Sequence, residues 1–111
     1  MEIQQSEQEG LIVLKLSGKI IGGPDATVLN DKLHDLIESG HRNVIADLEQ
    51  VNWMNSSGLG ILISALTTIR NAGGDLRIAA TTEKIKNLLT ITKLTNLFSL
   101  YDTVEEAIKS F

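Results

Sequence analysis

Asp47-Leu48-Glu49-Gln50-Val51-Asn52-Trp53-Met54-Asn55-Ser56-Ser57-Gly58-Leu59-Gly60 leads from the end of an apolar strand, through a polar loop, into a helix. Ahead of it, Asn43-Val44-Ile45-Ala46-Asp47-Leu48 is apolar on both faces, the pattern of a central strand. Behind it, Leu59, Leu62, Ile63, Leu66 and Ile69 recur at helical spacing over a helix from about Ser57 to Asn71, which Gly73-Gly74 terminates. Two hydroxyls therefore stand at a strand-to-helix junction. A serine at a helix N-cap accepts a hydrogen bond from the free amides of the first turn, and that role accounts for one of the pair. The same geometry also suits a site. Open α/β sheets place their ligands beyond the carboxyl ends of parallel strands, and first-turn amides favour negative charge. Gly58 and Gly60 are expected to keep the turn open to a partner's backbone or a nucleotide phosphate. A phosphoserine would add roughly two negative charges to an exposed knob between Met54 and Leu59.

Towards the N-terminus, Leu11-Ile12-Val13-Leu14-Lys15-Leu16 is a short aliphatic run between Gly10 and Gly18, which reads as a strand. The more polar residues 2–7 pair with it as an edge strand. Lys19-Ile20-Ile21-Gly22-Gly23-Pro24 reads as a loop. A helix follows, with Asp25 in its N-cap region or Pro24 in its first turn, and with Leu29, Leu33, Leu36 and Ile37 on its apolar face. It ends at Gly40. Beyond the central junction, Leu76–Ala80 is a strand, Glu83–Ile91 a helix and Leu97–Tyr101 a last short strand. Thr103 to Ser110 closes the chain as a helix, with Thr103 as cap and Glu106 three residues later. The order β-β-α-β-α-β-α-β-α predicts one α/β domain over residues 1–111, its sheet mostly parallel with an antiparallel edge. Ile37-Glu38-Ser39-Gly40 and Asn71-Ala72-Gly73-Gly74 share turn chemistry without forming a repeat.

Composition removes several classes of function. The formal charge is −4 and no basic cluster occurs, which argues against nucleic acid as a partner. The absence of cysteine excludes disulfides, thiolate catalysis and thiolate metal sites. No signal peptide is visible, and no apolar run approaches the roughly 18 residues of a membrane span. A cytoplasmic protein without membrane insertion is expected. Ser56, His34 or His41, and Asp47 do not make a hydrolase, because the Gly-x-Ser-x-Gly elbow is missing. Asp25, Asp47 and Asp102 do not pair as an acidic pocket, and Asp47 reads as a surface or turn-capping carboxylate. No catalytic residue, cofactor or metal site is expected, and Trp53 is expected to pack into the core or its loop in preference to serving as a binding hot spot.

Met54-Asn55-Ser56-Ser57-Gly58-Leu59-Gly60 resembles the hallmark segment of STAS domains, Met-Asp-Ser-Ser-Gly-Leu-Gly. Leu16-Ser17-Gly18-Lys19-Ile20, the Asp47-Leu48 strand end, Ala72-Gly73-Gly74, and Ile91-Thr92-Lys93-Leu94 with Phe98 fit the same pattern, so the resemblance spans essentially the whole chain. It implies a mixed sheet of about five strands packed with four helices. It further implies a non-enzymatic anti-sigma factor antagonist that works by partner switching in signal transduction and transcription regulation. In that branch, the unphosphorylated domain binds an anti-sigma factor that is also a serine kinase. The kinase binds ATP and phosphorylates the first serine of the pair, here Ser56, with Ser57 as second candidate, and a phosphatase resets it. Gly22, Gly23, Asp25, Met54, Asn55, Ser56, Ser57, Gly58 and Leu59 would form the partner-binding surface. The alternative is a non-phosphorylated scaffold or accessory subunit of a signalling or lipid-transport complex. Two positions depart from the family pattern. Asn55 replaces the usual acid, keeping a turn-forming side chain without its charge, and the loop from Gly18 to Asp25 carries different charges.

Overall fold

Alternation along the second strand sorts its side chains onto two faces: Ile12, Leu14 and Leu16 enter one core, Leu11 and Val13 a smaller one opposite. The computed structural model describes residues 1–93 and 97–111, so Leu94 of the segment Ile91-Thr92-Lys93-Leu94 lies outside the described residues. Its elements are β1 (Glu2–Gln8), β2 (Leu11–Ile20), α1 (Pro24–Glu38), β3 (Asn43–Met54), α2 (Ser56–Asn71), β4 (Asp75–Ala79), α3 (Glu83–Ile91), β5 (Leu100–Tyr101) and α4 (Val104–Lys109). The five strands form one sheet in the order β1-β2-β3-β4-β5. β1 runs antiparallel to β2, and every other pairing is parallel, as expected.

Each parallel crossover advances by one strand in the same direction, so a common hand brings the crossover helices to one side. Residues of α1, α2 and α3 accordingly share the main core, with Leu29, Leu33, Leu62, Leu66, Ile85 and Leu89 among them. α4 covers the other face through Ala107, packed with Ile45 and Ala79. The apolar stripe of α2 is wider than expected. Ile61 and Ala65 are buried as well, beside Ala26 and Leu29 of α1, so α2 packs against a helix as well as the sheet.

β3 does not stop at Leu48 but continues to Met54. Lys15 pairs with Asp47 while Ser17 pairs with Gln50, and Gly18 pairs with Val51 while Lys19 pairs with Trp53. β3 thus carries one extra residue in each interval, a bulge each time. Burial along it falls on Leu48, Val51 and Met54, with Glu49-Gln50 and Asn52-Trp53 exposed between them. The bulges convert a two-residue rhythm into a three-residue one, which in sequence looks like a loop. Of the two roles expected of Asp47, surface or turn-capping carboxylate, the structure shows the second. The residue is buried, and its Oδ1 accepts a hydrogen bond from Glu49 N at 3.0 Å, holding the first bulge.

The shared turn chemistry has a common geometry. After α1, His41 N donates to Leu36 O at 2.8 Å and Gly40 N to Ile37 O at 3.0 Å; after α2, Gly74 N donates to Ile69 O and Gly73 N to Arg70 O, both at 3.0 Å. Both are Schellman ends, with glycine in the left-handed position. β2 extends to Ile20, through part of the expected loop, and β4 ends at Ala79, where Ala80 turns to φ 57°. β5 is shorter than expected because Leu97, Phe98 and Leu100 all turn to the same core, which an alternating strand cannot do. Thr103 caps α4, its hydroxyl accepting from Glu106 N at 3.1 Å.

Candidate functional site at the carboxyl ends of β2 and β3

Gly58 sets the position of α2. A Cβ on this residue would lie 1.8 Å from the carbonyl oxygen of Ile20 and 2.6 Å from its carbon, so only glycine lets the helix start lie against the end of β2. With Gly58 held there, the N-cap is Asn55. Its Oδ1 accepts from Gly58 N at 2.8 Å, and its backbone carbonyl accepts from Leu59 N at 2.9 Å. Neither serine caps the helix, contrary to expectation, and Ser56 opens it one residue before the expected start. Both serines are exposed in the first turn, and among the described residues neither hydroxyl is hydrogen-bonded.

A second loop closes on this turn. Asn55 Nδ2 donates to Ile21 O at 3.4 Å, across from the segment joining β2 to α1. A Cβ on Gly22 would stand 3.1 Å from Ser57 Cβ, so Gly22 lies directly against that serine. Gly23 is the N-cap position of α1, with φ 63°, and Pro24 takes the first helical position. Asp25 lies in the first turn, neither the cap nor fully exposed, with its Oδ1 3.4 Å from the Met1 amino nitrogen.

Ile21, Gly22, Asn55 and Ser57 are therefore brought together, with Ser56 beside them. Met54, Gly58 and Leu59 are not on this surface. Met54 is 5% and Leu59 3% exposed, because the second bulge turns Met54 inward and the helical stripe buries Leu59. Gly58 is closed off by Ile20, so the turn is not open there to a partner's backbone; Gly60 faces open space. Trp53, expected in the core or loop packing, is 44% exposed, with Lys84 Nζ 4.8 Å from its ring centroid. Ile21 beside the site is 49% exposed. The sequence signal for Trp53 was its place next to Met54, legible only once the bulges are known.

Nothing here resembles a nucleophile with its base. His34 lies on α1 and His41 follows its C-terminal turn, at the opposite end from the Gly23 cap, and the Asp47 carboxylate is engaged with the bulge. The turn offers an unencumbered hydroxyl at the positive end of a helix.

The STAS domain family model matches residues 2–107. The chain belongs to the STAS domain family. Its relatives include the anti-sigma-B factor antagonist of Bacillus subtilis, 29% identical over 100 residues, which cover 90% of this chain and 88% of that protein. The chain spans about two thirds of the length of the Thermotoga relatives it matches, 66% in each. Among solved structures, a candidate anti-sigma factor antagonist from Thermotoga maritima superposes with a TM-score of 0.86 at 21% identity, covering 97% of this chain and 92% of that one. The Bacillus cell-fate determinant SpoIIAA in its phosphorylated form superposes with a TM-score of 0.73 at 19% identity, covering 98% of both. These likenesses establish the same fold as the STAS neighbours.

Proposed function

We propose that this STAS domain is a cytoplasmic anti-sigma factor antagonist acting by partner switching, with Ser56 as the phosphorylated residue. On this reading the unphosphorylated chain binds an anti-sigma factor serine kinase, which supplies the ATP, and a phosphatase restores the hydroxyl. The chain is then a substrate and a binding module, with no catalytic role of its own. The observation that carries the reading is the Ser56 hydroxyl, exposed at the first helical position and unbonded among the described residues, whereas Ser57 packs towards Gly22. A phosphoryl group there meets the helix N-terminus, which favours it, so the modification changes the surface and leaves the fold intact. The names of the relatives support the same role.

The test uses ATP and the serine-kinase anti-sigma factors of the same genome, purified and tried one at a time, with intact mass as readout. One phosphate gained by the native chain and lost in Ser56→Ala is the expected result. No phosphate with any of them, together with stable co-purification with subunits of a membrane complex, would favour a scaffold or accessory subunit instead.

A further inference from the structure

Five large apolar side chains are exposed among the described residues: Ile21, Val28, Trp53, Ile91 and Phe111. Two of them, Ile21 and Trp53, line one shallow hollow with Lys19 and Asn52, at the ends of β2 and β3. Ile21 is also the residue whose carbonyl accepts from Asn55, so the hollow is continuous with the turn that carries Ser56. Trp53 is the single tryptophan of the chain. It projects outward because the second bulge places it opposite Lys19 while Met54 turns in. The Lys84 ammonium lies over its ring, a cation–π contact that limits the indole's freedom before anything binds.

Charge indicates what fits here. The chain carries a formal charge of −4, yet the hollow has Lys19 in its wall, Lys84 over its tryptophan and no carboxylate among its lining residues. A locally positive apolar patch on an acidic protein complements an acidic protein surface. A partly exposed tryptophan with a charged rim is also the composition of a binding hot spot. We propose that Trp53 and Ile21 enter an apolar pocket rimmed by Asp and Glu on the anti-sigma factor kinase, with Lys19 and Lys84 facing those carboxylates. The proposal rests on the reading of the chain as that kinase's partner and identifies the chemistry of the contact. It also gives phosphorylation a mechanism of release. A phosphoryl group on Ser56 brings negative charge to a turn adjoining an interface where the partner's charge is negative.

The test titrates the wild-type chain with each purified serine-kinase anti-sigma factor of the same genome and follows tryptophan emission, which on this side comes from Trp53 alone. A kinase that binds should shift the chain's emission to the blue. Trp53→Ala should weaken binding by about thirtyfold or more, the size of a truncated hot-spot residue. Lys84→Glu and Lys19→Glu should each weaken it about five- to tenfold and flatten its salt dependence, with every variant's melting curve unchanged. Tight binding with unmoved emission, and with Trp53→Ala and Lys84→Glu within about threefold of wild type, overturns the anchor while leaving the Ser56 switch standing. Binding by no kinase overturns both. A wild-type dimer that Trp53→Ala dissociates overturns the proposal in favour of a second copy of this chain.

Discussion

Asn55 does two jobs with one amide. Its oxygen caps α2 through Gly58 N, and its nitrogen reaches Ile21 O across the neighbouring loop. An aspartate retains the first function and loses the second. Asn55→Ala should therefore lower stability by about 1 kcal/mol, the usual cost of a lost cap, and Asn55→Asp by less, as read by denaturant unfolding. Ser56→Asp should abolish kinase binding while leaving the melting temperature nearly unchanged, because an acid in the first helical turn is electrostatically favourable. A large drop in melting temperature would mean that Ser56 is structural. The serine pair was legible in sequence because strand and helix periodicities meet there. Which of Asn55, Ser56 and Ser57 caps the helix was not, since asparagine and serine both make good caps.

At the scale of elements, the approach of α2 to β2 chooses among those caps. Gly58→Ala drives a methyl group into the Ile20 carbonyl, a backbone group that cannot rotate away. It should cost about 2–3 kcal/mol or more, and a thermal melt should show a fall of roughly 10 °C or more. The two bulges of β3 are the other decision at this scale. Without them, strict alternation from Leu48 would direct Gln50, Asn52 and Met54 to the main core. With them, Val51 is buried in place of Gln50 and Asn52, the second bulge returns Met54 to the inside, and Trp53 is left outside. A bulge exists only relative to a partner strand, so residues 49–53 read as a loop, and Trp53 as packing.

For the whole molecule, stability rests chiefly on the larger of the two cores, between the sheet and three of its helices, centred on side chains such as Leu14, Leu62 and Leu66. Leu62 is fully buried, and Leu62→Ala should cost about 2–5 kcal/mol by equilibrium unfolding, more than Asn55→Ala or Ser56→Asp at the Ser56 turn. The core and the Ser56 turn are thus separable, which suits the proposed switch, in which the surface would change charge without changing shape. By itself, the sequence determined the number and order of elements, the parallel sheet with its antiparallel edge, the glycine-ended helices and the serine pair at a strand-to-helix junction. Each of these is written in local periodicity and turn chemistry, which act over a few neighbouring residues. Only the tertiary structure decided that Asn55 is the cap, that Met54, Gly58 and Leu59 are buried, and that Trp53 faces outward beneath Lys84. Those outcomes depend on which backbone lies against which, through the Ile20 carbonyl beside Gly58 and the register of β3 on β2, contacts between residues more than thirty positions apart.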